Sequence, residues 1–215
     1  MKFINVHTHN YSGNETFLEI VNQYPIEFNA ILPNYSVGIH PWKIELSSIE
    51  DDLQIINRVA KNLNCLAIGE CGLDKRIETP LNLQIEVFEK QILIAIEHKK
   101  PLILHCVGAF QEVIEIKNRL NINVPVIIHG FSKNIQLAKQ LLDNGFYLSF
   151  GKYLMLNLEL KTVFSDSPNN KFFLETDSSD FNIEEIYMQA AKYKNIEIDK
   201  LKEIVSTNFD TVFKK

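Results

Sequence analysis

Cysteine is scarce: three in 215 residues, at positions 65, 71 and 106, with no metal-type spacing. They read as reduced, small core residues, not as a disulfide framework. No apolar run approaches the roughly 20 residues that cross a bilayer, so no membrane association is expected. The opening MKFINVHTHN is too short and too polar for a secretory leader, which makes the cytoplasm the expected location. A basic excess is also lacking. Lys and Arg number 22 against 27 Asp and Glu, for a formal net charge of −5. This excludes a protein that holds nucleic acid on a broad basic surface. It leaves room for an enzyme that grips a strand end locally, because bound metal ions would bring their own positive charge. Low-complexity stretches, Pro/Ser-rich linkers and repeats are absent. One domain over 1–215 is the simplest reading, with no obligate protein partner evident.

Short apolar runs alternate with amphipathic segments. Strands are expected at FINVH (3–7), SVGIH (36–40), CLAIGE (65–70), PLILH (101–105), VPVIIH (124–129), FYLSF (146–150) and KFFLET (171–176). Helical patterns cover 47–63, 81–98, 110–120, 134–143, 154–163, 183–194 and 199–213. Leu-Ile-Leu and Val-Ile-Ile suit strands buried on both faces, and the alternation implies βαβ units with a parallel sheet. Between Asn10 and Tyr35 the chain is compressed, with one expected helix (ETFLEIVNQ) and a short strand (FNAIL).

The strand ends choose between an open sheet and a ring. His7 and His9, His40, Glu70, His105, His129 and Asp177 stand at or just beyond six of the seven runs. An open sheet gathers ligands near one switch point, whereas a ring of strands converges side chains from many strand ends. A distorted TIM-type (β/α) barrel is therefore expected, with seven main strands or eight with one rudimentary. His7 and His9 lie two apart on a strand and share a face. With Glu70, His105, His129 and Asp177 they compose a plausible two-metal site. Imidazole and carboxylate donors suit Zn²⁺, Mn²⁺ or Fe²⁺. A water shared by two ions would be acidified into a hydroxide that attacks an ester, with Asp177 taking its proton and Glu70 spanning the ions.

Other residues carry two readings each. His40 belongs either to the site or to an ordinary loop before Pro41. Trp42 and Phe131 either stack on a base or pack at a strand end. Asp74, Lys75 and Arg76 form either a solvated turn beyond Glu70 or a contact to a phosphate or a ligand histidine. His98 reads as a solvated residue at a helix C-terminus.

These motifs resemble the TatD family of metal-dependent hydrolases and DNases. The matching pieces are HTH at 7–9, GIHPW at 38–42, AIGECGLD at 67–74, LILHCVGAF at 102–110, VIIHGFS at 126–132, GFYLSFG at 145–151, LETD at 174–177 and STNFDTVF at 206–213. The resemblance implies a distorted TIM barrel in which His7, His9 and Asp177 hold one ion and His105 and His129 another. Glu70 would bridge them, and His40 would face the substrate phosphate or the bridging water. It also implies Mg²⁺ or Mn²⁺ as the ions in use, with Zn²⁺ able to bind, and 3′–5′ exonuclease activity on DNA. Three departures stand out. The helix and strand between HTH and GIHPW look largely missing, the family's HxR after the fourth strand reads HCV, and SSDFNIEEIY follows ETD in place of a Pro-rich loop.

Three functions follow. The first is a two-metal phosphodiesterase acting on DNA ends, in which Lys75 or Arg76 helps hold a phosphate. The second is a two-metal hydrolase of a small phosphate ester, lactone or amide, favoured by the missing Arg and the acidic charge. The third is a non-enzymatic barrel scaffold, against which the six ligand-type residues argue, since buried ionisable groups are costly without a task.

Overall fold

The computed structural model describes residues 1–214. In chain order the elements are β1 (Phe3–Thr8), β2 (Phe17–Gln23), β3 (Tyr35–Val37), α1 (Ile49–Val59), β4 (Cys65–Asp74), α2 (Leu81–Glu97), β5 (Leu102–Val107) and α3 (Phe110–Arg119). There follow β6 (Val126–Ile128), α4 (Ile135–Asp143), β7 (Tyr147–Phe150), α5 (Tyr153–Leu156), α6 (Leu160–Asp166), β8 (Phe172–Leu174), α7 (Ile183–Lys194) and α8 (Ile198–Phe213). The strands order themselves β1 to β8 as in the chain, and Thr8 bridges in parallel to Asp177, just past β8. Parallel strands in chain order, joined by helices, are the (β/α) barrel topology expected from the sequence.

The expected helix ETFLEIVNQ is instead a strand. Phe17, Leu18 and Glu19 of β2 pair in register with Phe3, Ile4 and Asn5 of β1. Its polar residues misled the periodicity because they are buried and used. Glu19 accepts from the backbone N–H and hydroxyl of Ser12, at 3.0 and 2.7 Å, and Gln23 accepts from the Asn29 N–H at 2.6 Å. Tertiary pairing overrides a weak local preference. FNAIL forms no strand, and Ile31 is exposed. Among the described residues eight strands are therefore present and β2 is not rudimentary; what the region lacks is an α-helix on either side of β2.

The chain divides into two compact units. One comprises Met1–Val21 and the chain from Ile128 on. Here β1 is buried along its whole length, and β7 pairs with β8 from Leu148↔Phe172 to Phe150↔Leu174. Phe150, Phe164 and Phe172 meet edge to face at 5.1 and 4.9 Å, and Phe131 joins Phe150 at 5.7 Å. Tyr187 of α7 satisfies β1 by accepting from the Ile4 N–H and donating to the Ile4 carbonyl, both at 3.1 Å. An Asn182/Glu185 capping box starts α7, and left-handed Asn195 ends it. The segment expected as one helix over 154–163 is two, α5 and α6, because the Asn157 side chain accepts from the Glu159 N–H and turns the chain.

The second unit is Asn22–Ile127. Its spine is β4, which runs four residues past Glu70 and pairs with β5 from Cys71↔Leu104 to Asp74↔Val107. Gly72 makes this closeness feasible: its φ is +133°, and a Cβ there would stand 2.1 Å from the His105 carbonyl oxygen. Asp74 thus ends a strand and does not sit in a loop. Helix α2 packs on β4 with Val87, Phe88, Ile92 and Ala95 buried. Two glutamines share that buried stripe. Gln84 accepts from the Asp74 N–H at 2.8 Å and donates to the Asp74 carbonyl at 3.0 Å. Gln91 accepts from the Ile39 N–H at 2.7 Å and donates to the Ile39 carbonyl at 3.2 Å. Seven residues apart on one helix face, they fix the two strand ends that carry Asp74 and His40.

Candidate metal centre

In the second unit three side chains converge on one oxygen. Glu70 is only 3% exposed, and its Oε1 lies 3.1 Å from both His40 Nε2 and His105 Nδ1. The Glu70 N–H is held by the Asn22 side-chain oxygen at 2.6 Å. The two histidines are not equivalent. His40 Nδ1 accepts from the Trp42 backbone N–H at 3.1 Å, so neutral His40 carries its proton on Nε2 and offers it to Glu70. His105 Nε2 instead faces the Asp74 carboxylate, an acceptor, at 3.2 Å. Hydrogen-bond partners assign these tautomers. Burial pushes the Asp74 carboxyl up, but hydrogen bonds from Trp42, the Arg76 backbone and His105 outweigh it and hold it below its usual range.

In the first unit the backbone itself brings the candidate residues into register. The Asp177 N–H donates to the His7 carbonyl at 3.0 Å, and the His9 N–H donates to the Asp177 carbonyl at 3.2 Å. Asp177 Oδ1 lies 3.7 Å from His7 Nε2 and 3.4 Å from His9 Nε2, with Lys152 Nζ 3.7 Å from Oδ2. His7 is fully buried, and its ring centre is 4.3 Å from that of His129. His7, His129 and Asp177 each present a ligand atom within 4.8 Å of the others, as do His40, Glu70 and His105. His129 therefore stands with His7 and Asp177. Glu175 backs it. This fully buried carboxylate takes the Gly130 N–H at 2.7 Å and stands 3.3 Å from His129 Nδ1. Its other oxygen, Oε2, is buried with no hydrogen-bond partner.

Both clusters fit a divalent ion. Imidazole and carboxylate donors suit borderline ions such as Mn²⁺ and Zn²⁺. Donors bonded to one ion at about 2.1 Å stand roughly 3 Å apart when adjacent, close to the separation of His105 Nδ1 from Glu70 Oε1. An unpaired carboxylate oxygen buried behind a histidine of the cluster is costly unless positive charge lies near. All three thiols are buried, and burial pushes Cys71 well up and Cys65 to about 11.

The family model for TatD-related DNases matches residues 1–214. The chain belongs to that family, among metal-dependent hydrolases. A metal-dependent hydrolase of Buchnera aphidicola from Acyrthosiphon pisum is 31% identical over 217 residues, covering 87% of this chain and 78% of its own. The 3′-5′ ssDNA/RNA exonuclease TatD of Salmonella typhimurium is 27% identical over 175 residues, 79% of this chain and 64% of its own. Among solved structures, a TatD-family hydrolase of Entamoeba histolytica superposes with a TM-score of 0.78 at 16% identity, over 99% of this chain and 98% of its own. The TatD homologue YJJV of Escherichia coli gives 0.74 at 19% identity, over 85% and 77%. These likenesses carry the α/β TIM-type barrel fold.

The other residues singled out in the sequence are placed as follows. Lys75 is paired with Glu112, whose carboxyl this partner holds low, while Arg76 is exposed and donates its backbone N–H to Asp74 at 2.8 Å. Trp42 is 65% exposed, and its indole N–H donates to Asp74 at 2.8 Å. Phe131 is core, packed on Phe150. His98 does stand at the C-terminus of α2, as its C-cap, but half-buried, with its ring bonded to Asn57 of α1 at 2.5 Å. Sequence reading missed Glu175, Gln84, Gln91 and Asn22. The only visible signal was polar residues inside otherwise apolar stripes, such as two glutamines seven apart on α2. Among the described residues no helix is long and apolar enough to cross a membrane.

Proposed function

We propose that the protein is a divalent-metal-dependent phosphodiesterase that trims nucleic-acid ends, a 3′–5′ exonuclease, with one ion held in each cluster. The observation that carries this reading is Glu70, a buried carboxylate flanked by two imidazoles at 3.1 Å. The relative from Salmonella, named as a 3′-5′ ssDNA/RNA exonuclease, supplies the substrate class. His7, His9, His129 and Asp177 would hold one ion, and Glu70 and His105 the other; Mn²⁺ or Mg²⁺ would serve, with Zn²⁺ able to bind. Such ions supply charge for the phosphate oxygens and lower the pKa of a water. The chain's own groups do the rest. Asp177, partly exposed, accepts the proton of the attacking water. His40, with Nε2–H outward from the Trp42 N–H, donates to a phosphate oxygen that displaces its bond to Glu70. Trp42 offers an exposed ring for a base.

The test is timed digestion of 3′- and 5′-labelled single-stranded DNA with Mn²⁺ or Mg²⁺, wild type beside Glu70→Ala. Expected is stepwise shortening from the 3′ end by wild type, with at least a hundred-fold loss in a variant that keeps its circular dichroism. A variant as fast as wild type would defeat the reading. A second reading, a small phosphate ester as substrate, is favoured by one feature: Lys75 is committed to Glu112, and Val107 stands where the family pattern has Arg. Turnover of a small phosphodiester with intact DNA would select it.

A further inference from the structure

Asp74 lies four residues beyond Glu70 on the same strand and is buried. Its carboxylate is fully used. Oδ2 accepts from Trp42 Nε1 at 2.8 Å and from His105 Nε2 at 3.2 Å, and Oδ1 accepts from the Arg76 N–H at 2.8 Å. Its backbone is clamped by Gln84 through both N–H and carbonyl. A carboxylate with this many donors is an acceptor only, so His105 must give it Nε2–H. That places the ring's lone pair on Nδ1, which faces Glu70 Oε1 at 3.1 Å. In the neutral ring two lone-pair atoms face each other at that distance, which calls for a cation between them: a metal ion, or a second proton that makes His105 an imidazolium between two carboxylates.

We propose that Asp74 is a positioning residue: it fixes the tautomer and orientation of His105 so that Nδ1 is the ligand atom. His40 gives the internal contrast. A backbone N–H takes its far nitrogen, so its near nitrogen carries a proton and cannot ligate an ion while that tautomer holds. The two rings, 4.4 Å apart, thus take opposite roles from opposite partners. Outer carboxylates of this kind typically change metal affinity by roughly 10- to 100-fold. The inference rests on the metal-centre reading above, and its test separates the two.

The experiment uses the full chain as wild type, Asp74→Ala and Asp74→Asn. Histidine tautomers are read in the metal-free proteins by long-range ¹H–¹⁵N correlation, and Mn²⁺ uptake is read by stoichiometry and affinity. Expected in wild type is His105 as the Nε2–H tautomer and two ions bound. Asp74→Ala should show a mixed His105 tautomer and a roughly 10- to 100-fold weaker second ion, with the first unchanged. Asp74→Asn, which keeps a carbonyl acceptor, should rescue the tautomer in part. His105 unchanged in tautomer, or two ions bound by Asp74→Ala at wild-type affinity, overturns the proposal. Wild type that binds no ion defeats the functional reading instead, and the tautomer measurement still decides Asp74. Should Asp74→Ala not fold, Asp74→Asn carries the comparison: a partly mixed His105 tautomer and a weaker second ion are expected from the neutral acceptor, and wild-type tautomer and affinity overturn the proposal.

Discussion

Glu175 shows how a single buried charge can trade stability for binding. Its Oε1 is satisfied by Gly130 and His129, but Oε2 is buried with no partner. An ionised oxygen in that state destabilises the protein when no ion is nearby and strengthens the attraction when one is. Glu175→Gln keeps the shape and the acceptor for Gly130 while removing the charge. The metal-free variant is therefore expected to be more stable than wild type, by about 1 kcal/mol. Its first-cluster ion is expected to bind roughly tenfold more weakly. Urea melts in chelator check the first, and calorimetric Mn²⁺ titration checks the second. A metal-free variant less stable than wild type would show that Oε2 is not a stored cost.

At the scale of elements, α2 is the support beneath the second cluster. Gln91 satisfies both backbone groups of Ile39, the residue that leads β3 into His40. Gln91→Leu preserves volume and helix preference but strands a buried N–H and a buried carbonyl. A loss of about 2–4 kcal/mol in urea unfolding is expected, since each such group costs about 1–3 kcal/mol. A loss under 1 kcal/mol would mean that Ile39 is held by other contacts. The same elements show what the sequence disclosed. Every strand ending on a ligand-type residue was legible, because an apolar run followed by His, Glu or Asp is a local signal. Seven helical segments were legible too, although 154–163 divides at Asn157. The strand β2 was not, because its burial of Glu19, Asn22 and Gln23 rests on pairing with β1 and on side-chain bonds to Ser12, Glu70 and Asn29 that periodicity does not register. Gln84 and Gln91 were invisible for the same reason. The candidate ligands are local facts, His, Glu or Asp in or just after an apolar run, whereas the groups that hydrogen-bond to them are facts of packing.

For the whole molecule, ion binding and stability are one equilibrium. The formal net charge is −5, and two divalent ions would bring it to −1. An ion that binds only the folded chain adds RT ln(1 + [M]/Kd), about 2.7 kcal/mol at a hundred times Kd. For a chain of this length, 1 kcal/mol moves the melting temperature by roughly 2–4 °C. Saturating Mn²⁺ is thus expected to raise the melting temperature by roughly 5–10 °C per ion over protein kept in chelator. The Glu70→Ala variant should lose the share of the rise that its cluster supplies. The control is Ca²⁺ at the same concentration, a hard ion that prefers six to eight oxygens and meets mostly imidazole here; it should give a markedly smaller shift. Equal shifts from Mn²⁺ and Ca²⁺ in wild type and Glu70→Ala alike would mean that the ions act on the acidic surface and not on the histidine clusters. A Mn²⁺-specific rise that the variant loses in part would tie the stability of the fold to the residues proposed for its chemistry.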